Sequence, residues 1–211
     1  MILLSDPEIL NTEVDECHEP LVDLRDLEAL RLDGRLSDPD GLWARLRSGV
    51  VDRLVTTQTL LPPGLKLLII EGYRPLSLQA KYFHAHVSRL HAIHPGKDDL
   101  WYYQRASRYI SPPEVAPHVA GAAIDLTLCT LDGVELWMGT EVNESDTEDC
   151  HTDSPAISAD ATKNRQILCA AMTAAGLINY PTEWWHWSYG DRYWAHATGA
   201  KAARYGPVEK P

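Results

Sequence analysis

Long hydrophobic runs are missing from this sequence of 211 residues. The longest candidate, Leu65–Ile70, has the size of a strand and is far shorter than the roughly 20 residues of a membrane helix. Residues 1–20 carry acids and lack a basic region followed by an apolar stretch, so we expect no secretory signal. These absences predict a cytoplasmic protein that does not bind a membrane.

Positive charge is also scarce. The sequence has 19 Lys and Arg residues against 30 Asp and Glu residues, which gives a net charge of −11. An acidic surface repels phosphate groups, whether they belong to a nucleic acid or to an anionic lipid. We therefore expect no nucleic-acid partner, and the oligomeric state is left open.

Closely spaced cysteines and internal repeats are absent as well. Cys17, Cys129, Cys150 and Cys169 form no CxxC motif, so we expect reduced structural thiols, with a disulfide as the alternative. The length fits one domain. We expect residues 1–211 to form that single domain, with a core at about 20–195 and a loose C-terminal tail at 196–211.

The hydrophobic pattern that is present alternates between helical and strand periods. It predicts a single α+β domain in which a central antiparallel sheet is flanked by helices. The polar stretch 139–158 is long for a structureless loop, which favours a functional loop. We expect helices at 39–59, 77–91, 98–108 and 159–175, and strands at 65–71, 121–128, 134–137, 177–180 and 184–189.

Two imidazoles and one carboxylate stand where a metal site can form. His118 ends a proline-rich loop, Asp125 lies in the strand that follows, and His186 closes the run EWWH. A catalytic zinc ion takes three protein ligands of these types and keeps a position for water. Asp125 is the only acid of a mostly apolar strand, and a buried carboxylate needs such a partner. The residues therefore predict one Zn²⁺ per chain.

Glu183 precedes His186 by three residues, which suits a general base for the zinc-bound water. In a flat strand these two side chains would face opposite sides, so we expect a turned segment at 181–183. Trp184, Trp185 and Trp187 are expected to wall the site and exclude water. A low local dielectric there strengthens each charge interaction.

Arg74 follows the strand 65–71 and precedes Pro75, and its cation can stabilise the oxyanion formed when water attacks a carbonyl. Structural interpretations remain open for these residues: Arg74 can pair with Glu71, His118 can be exposed, and the aromatic run can be plain core. The other histidines near the helix 77–91 are expected on its solvated face; they are His84, His86, His91 and His94.

Several of these motifs occur together in one known family. The runs EGYRP, HVAGAAIDLTL, Met138-Gly139 and EWWHW stand in the same order as in the D-alanyl-D-alanine dipeptidases of the VanX type. The chain resembles these enzymes, which belong with the zinc D,D-carboxypeptidases among the peptidoglycan peptidases of the LAS group. The resemblance covers residues 20–194.

The resemblance implies zinc on His118, Asp125 and His186, with Glu183 as general base and acid. It implies that Arg74 stabilises the tetrahedral intermediate. It also implies a small closed pocket that admits a dipeptide, such as D-Ala-D-Ala, and rejects longer chains. Among possible substrate contacts are Asn143, Ala116 and Trp185.

Two of these positions depart from the family pattern. Ala116 stands where the family has a serine, and Asn143 stands where an acid that holds the substrate ammonium is expected. Three functions are therefore considered. The first is a zinc dipeptidase for D-Ala-D-Ala or a related peptide, and the second is a zinc carboxypeptidase or amidase for another small peptide or amide. The third is a silent, zinc-stabilised binding module.

Overall fold

A computed structural model describes residues 2–145 and 147–208. Its strands are β1 Leu21–Asp23, β2 Arg31–Leu32, β3 Arg45–Arg47, β4 Leu65–Glu71, β5 Ala123–Thr130, β6 Ile178–Asn179 and β7 His186–Ser188. Its α-helices are α1 Pro7–Leu10, α2 Ser48–Leu60, α3 Leu76–Ile93, α4 Asp99–Ala106, α5 Ala159–Ala174 and α6 Arg192–Thr198.

Five strands form the central sheet in the order β2-β4-β5-β7-β6, and β1 pairs with β3 in a separate ribbon. The α+β class predicted from the sequence is confirmed. The pairs β4–β5, β5–β7 and β6–β7 are antiparallel as expected, whereas the edge strand β2 runs parallel to β4. The sheet is therefore mixed at one edge.

The main core lies between the sheet and helices α2 and α5. Leu67 and Ile69 of β4 are fully buried, as are Ile124, Leu126 and Leu128 of β5. These residues form one cluster with apolar side chains of α2 and α5. Because the other face of β5 is buried as well, polar groups on that strand must find partners inside the protein.

Two expected elements differ from the structure. The helix expected at 39–59 begins only at Ser48, because Gly41 has a left-handed backbone (φ +68) and Arg45–Arg47 pairs with β1. The strand expected at 134–137 is reduced to a single bridge between Cys129 and Glu135. The remaining helices and strands lie within a few residues of their predicted bounds.

The expectation of a loose tail at 196–211 is wrong for its described part, 196–208. Helix α6 reaches Thr198, and Ala203 and Tyr205 are buried. The backbone of Ala203 bonds to both sides of Val14, donating to the carbonyl of Glu13 and accepting from the amide of Asp15. The C-terminal segment is therefore fastened to the N-terminal segment. The last three positions of the predicted tail, 209–211, lie outside the described residues.

All four cysteines are free, which agrees with the expected reduced thiols. Within residues 2–145 and 147–208, no helix has both the length and the apolar character needed to cross a membrane.

Glu19 joins the two terminal segments to α2. Its carboxylate accepts hydrogen bonds from the Tyr205 hydroxyl at 2.6 Å, the Gly49 amide at 2.8 Å, the Arg204 guanidinium at 3.1 Å and the Ser48 hydroxyl at 3.2 Å. Burial raises the pKa of this carboxyl, but the bonds from Tyr205, Gly49, Arg204 and Ser48 together outweigh burial and lower the pKa to about 2. The ionised form therefore stabilises the fold.

We expect Glu19→Gln to lower the free energy of unfolding by about 2 kcal/mol at pH 7, because it removes a charged acceptor of several bonds. A lowered folded pKa gives a contribution that is complete above the unfolded pKa of about 4.5 and is lost as the pH falls toward 2. The difference between the variant and the wild type should therefore shrink over that window in urea unfolding. The exposed Glu28→Gln is the control, and an equal difference at pH 7 and pH 3 would contradict the assignment.

Candidate metal centre and cavity

Strand register brings three polar side chains into one row across the sheet. Asp125 of β5 is paired with His186 of β7 on one side and with Glu71 of β4 on the other. A β-bulge between Ile69 and Glu71 lets Glu71 rather than Ile70 oppose Asp125. Bulges re-aim side chains in this way, and here the bulge moves a carboxylate onto the face that carries Asp125.

His118 reaches the row from a 3-10 helix, Pro117–Ala120, that precedes β5. Its Nδ1 lies 2.7 Å from the carbonyl oxygen of Gly72 and must donate, because a carbonyl only accepts. The neutral ring therefore presents the Nε2 lone pair to Asp125 and His186. Gly72 itself is packed against β3, since a Cβ there would lie 2.6 Å from the carbonyl oxygen of Arg45.

The three predicted ligands form a compact triangle of donor atoms. The Oδ1 atom of Asp125 lies 3.0 Å from Nδ1 of His186 and 3.3 Å from Nε2 of His118, and the two nitrogens are 3.2 Å apart. In a tetrahedral site with bonds of about 2.0–2.1 Å, ligand atoms are about 3.3 Å apart. The donor set and its spacing therefore fit a zinc ion with room for a fourth ligand.

The pKa values within the triangle are set by burial and by the interactions among its three side chains. Burial raises the pKa of Asp125, but the interactions with His118 and His186 outweigh burial and hold it well below its usual range. Burial lowers the pKa of His118, and its interaction with Asp125 more than reverses that effect and raises it. The carboxylate is therefore ionised and available as an anionic ligand.

Glu183 approaches the triangle from a turn, as expected from Pro181. The amide of Glu183 donates to the carbonyl of Tyr180, and the amide of His186 donates to the carbonyl of Glu183. This places Oε2 of Glu183 4.0 Å from Nδ1 of His186. Burial and then the charge of Asp125 raise the pKa of Glu183 to about 7, against the opposing charge of His186. A carboxyl with such a pKa can both accept and return a proton near neutrality.

Arg74 forms the ion pair that the sequence left open, and its role toward an oxyanion stays a prediction. Its Nε donates to Glu71 at 2.8 Å and its Nη2 also bonds to that carboxylate, so the ion pair exists. Its Nη1 donates to the side-chain oxygen of Gln79 at 2.7 Å. Arg74 also lines the same cavity as the triangle, and its backbone amide donates to the carbonyl of His118. The guanidinium is thus held rigidly beside the cavity.

The cavity that contains the triangle has a volume of about 720 Å³. Trp185 and Asn143, two of the predicted substrate contacts, line it. Ala116 does not belong to the described residues that line it; Ala116 is buried at the start of the 3-10 helix. The small closed pocket implied by the resemblance stays a prediction.

Of the three tryptophans expected to wall the site, only Trp185 does so among the described lining residues. Trp184 and Trp187 belong to the main core. The indole of Trp184 donates to the Thr140 hydroxyl at 2.9 Å, and that of Trp187 donates to the carbonyl of Trp184 at 3.1 Å. Within β7, His186 faces the triangle, so its neighbour Trp187 faces the core, where it is paired with Ile124; Trp184 and Trp185 precede the strand.

Several cavity residues were not expected from the sequence. His86 and Arg89 of α3 line the cavity, although the histidines of this helix were expected on a solvated face. The signal that could have found them is the helical spacing from Leu78 through Tyr82 to His86. His84, His91 and His94 are exposed, as expected; His91 stacks on the ring of Tyr102, and His94 meets the ring of Trp101 edge-on.

Comparison with known proteins gives similarity to one enzyme family. The family model of peptidase M15, described as D-ala-D-ala dipeptidase, matches residues 48–202. The D-alanyl-D-alanine dipeptidase of Synechocystis sp. is 27% identical over an alignment of 198 residues, with 78% of this chain and 79% of that protein covered. The enzyme of the same name from Enterococcus faecalis is 34% identical over 148 residues, with 64% of this chain and 69% of that protein covered.

Two further matches cover a smaller share of the relative or have a lower sequence identity. The Escherichia coli D-alanyl-D-alanine dipeptidase is 33% identical over 124 residues, and only 54% of its length and 58% of this chain are covered. The solved LD-carboxypeptidase LdcB is similar with a TM-score of 0.47 and 17% identity, over 87% of this chain and 76% of that one. Since the family model spans well over half of the sequence, the chain belongs to the D-ala-D-ala dipeptidase family of metallopeptidases.

Proposed function

We propose that this chain is a zinc-dependent dipeptidase that hydrolyses D-Ala-D-Ala or a related small peptide of peptidoglycan, in the cytoplasm. The observation that carries the proposal is the triangle of His118, Asp125 and His186 on the wall of a cavity that Glu183 and Arg74 also line. Two neutral imidazoles and one carboxylate leave a bound Zn²⁺ with a net positive charge. That charge supplies Lewis acidity toward a peptide carbonyl and a water molecule.

The chain's own residues supply the remaining catalytic functions. Glu183 accepts the proton of the attacking water and returns it to the amine that leaves when the C–N bond breaks. Arg74 stabilises the negative charge that develops on the carbonyl oxygen, and its bonds to Glu71 and Gln79 hold it in place for that function. Trp185 excludes water from one side of the cavity. Family membership supports this division of labour.

The direct test is hydrolysis of D-Ala-D-Ala by zinc-loaded protein, followed as release of D-alanine. We expect turnover that disappears after treatment with a chelator and returns when zinc is added. A panel of D,D-, L,D- and L,L-dipeptides then defines the stereochemical preference. Equal activity in the chelated and the zinc-loaded protein would contradict the proposal.

Removing the carboxylate of Asp125 should weaken the binding of the metal. We expect Asp125→Asn to weaken zinc binding by more than about 100-fold, because even an outer partner of a ligand contributes 10- to 100-fold. Affinity is measured by competition with a chromophoric chelator. Asp40→Asn, which removes one negative charge from the same cavity without touching the triangle, is the matched control and should bind zinc like the wild type. Wild-type affinity in Asp125→Asn would exclude this residue as a ligand.

Glu183→Gln should separate metal binding from proton transfer. The amide keeps the shape of the side chain but accepts no proton, so we expect full zinc content and a kcat lower by about 10²- to 10⁴-fold. Glu141→Gln, an exposed change in the 139–158 loop, should keep the wild-type rate. If Glu183→Gln retains the wild-type kcat, another group moves the proton.

Arg74→Lys should distinguish charge stabilisation from a structural ion pair. Lysine keeps the charge next to Glu71 but loses the planar fork that also reaches Gln79. We expect kcat to fall by about 10²- to 10³-fold with little change in KM, as for the loss of one oxyanion donor. Chemical unfolding is measured in parallel. A loss of stability with an unchanged kcat would leave Arg74 with only its structural role.

A further inference from the structure

Arg165 of helix α5 is a buried cation, with 2% of its surface exposed. Its hydrogen bonds go to backbone carbonyl oxygens: Nε donates to Met138 at 2.7 Å, Nη1 to His151 at 2.6 Å and Nη2 to Asp149 at 2.8 Å. Its guanidinium carbon lies 5.5 Å from the centre of the Trp184 ring. Hydrogen bonds from an ionised donor are stronger than those between neutral groups, so the guanidinium fixes the positions of the carbonyls around it.

These carbonyls come from both ends of the 139–158 loop. Met138 directly precedes the loop, whereas Asp149 and His151 belong to its second half. A planar guanidinium has five N–H donors and bonds to several carbonyls at once, which the compact ammonium of a lysine does less well. Arg165 therefore joins the two ends of the loop to α5.

The second half of the loop is bonded to the turn that carries Glu183. The amide of Thr152 donates to the carbonyl of Pro181 at 3.0 Å. The amide of Trp184 donates to the carbonyl of Cys150, also at 3.0 Å. These two bonds lie before and after Glu183 in the sequence, so the loop holds the turn on both sides of that residue.

Asn179 makes a second connection from the loop to the same turn. Its side-chain oxygen accepts a bond from the Thr152 hydroxyl. Its side-chain nitrogen donates to the carbonyls of Glu183 and His186, each at 3.0 Å. The position of Glu183 therefore depends on the loop and, through the loop, on Arg165.

We propose that Arg165 is a positioning residue for Glu183. It fixes the segment 149–152, and that segment holds the turn 181–184 where Oε2 of Glu183 lies 4.0 Å from Nδ1 of His186. Arg165 is not among the described residues that line the metal cavity, so it acts through the position of Glu183 rather than on the substrate. This inference rests on the proposed zinc peptidase function, in which Glu183 moves the proton.

The first test replaces the guanidinium at full zinc loading. Arg165→Met removes the donors and keeps the length of the side chain. We expect kcat to fall by about 10- to 100-fold, because a misplacement of about 1 Å can reduce a rate by about 10². Arg165→Lys keeps a cation that bonds to part of the carbonyl set and should retain more of the rate. Leu168→Ala, a buried change on the same helix, is the matched control for lost stability and should keep the wild-type kcat.

A double mutant separates positioning from a general structural effect. If Arg165 acts through Glu183, adding Arg165→Met to Glu183→Gln should change kcat by less than about twofold, because the proton acceptor is already absent. A general structural role would lower kcat by the same factor in both backgrounds. Arg165→Lys is compared in the same two backgrounds, which keeps the test decisive if Arg165→Met does not fold. Equal factors in the two backgrounds, or a wild-type kcat in the folded variants, overturn the proposal.

The thiol of Cys150 reports the position of the segment without catalysis. It donates to the carbonyl of Thr182 at 3.1 Å and is buried. Burial and then the charge of Glu183 raise its pKa to about 11, so this thiol reacts slowly in the wild type. Cys129, which is buried in β5, serves as the internal reference for global unfolding.

Labelling by a thiol reagent, located by mass spectrometry, distinguishes this proposal from the proposed function. Relative to Cys129, we expect Cys150 to react at least about tenfold faster in Arg165→Met than in the wild type or in Leu168→Ala, because the released segment exposes the thiol. If no peptide is hydrolysed by the wild type, the proposed function fails. The action of Arg165 on the segment is then judged by this labelling, and an unchanged rate at Cys150 overturns it.

Discussion

The reactive end of the cavity depends on one row of cross-strand pairs. Backbone hydrogen bonds between β4, β5 and β7 set Glu71, Asp125 and His186 side by side, and a one-residue slip would turn each side chain to the opposite face. The bulge in β4 is part of this constraint, since regular pairing would oppose Ile70 to Asp125. His118 joins the row through the Gly72 carbonyl, which follows β4 directly.

Burial of the polar side chains in this row costs free energy, and hydrogen bonds from several segments of the chain offset that cost. Polar groups in a low dielectric need complete sets of partners. The turn that carries His118 is held by buried Arg47, whose guanidinium donates to the carbonyls of Ala120, Glu19 and Gly206 and to the carboxylate of Glu16. The fastened C-terminal segment thus supports the turn that carries His118, and Tyr205 is buried within that segment and bonded to Glu19.

The sequence pointed to residues that the structure brings together, because its signals there are local; their roles stay predictions. Residue type identified His118, Asp125, Glu183 and His186, and Pro181 predicted the turn that brings Glu183 to the same side as His186. What failed depends on contacts distant in sequence. The late start of α2 follows from the pairing of β3 with β1, and the buried tail follows from its pairing beside Val14. The two residues of β2 are too few to show a pattern, so its parallel pairing had no sequence signal.

The sequence did not predict that α3 lines the cavity, for a related reason. A helical period identifies which residues of α3 share a face, but it does not say whether that face meets solvent, core or a cavity. His86 and Arg89 are polar, and polar residues occur both on solvated helix faces and on the walls of cavities. Only the placement of the N-terminal segment and of Tyr109 opposite α3 distinguishes the two.

The two sides of the cavity are built on different kinds of structure. Hydrogen-bonded strands hold the triangle, so its chemistry follows from the register of the sheet. The rest of the cavity wall is built from a face of α3, a loop and the segment around Pro39 and Trp43. That last segment lies before residue 48, where the match to the family model begins. The family model therefore covers the three residues of the triangle but not the segment around Pro39 and Trp43. Because loops and helix faces tolerate substitution better than a buried strand pair, the α3 side of the cavity can change in this fold while the row of cross-strand pairs stays the same.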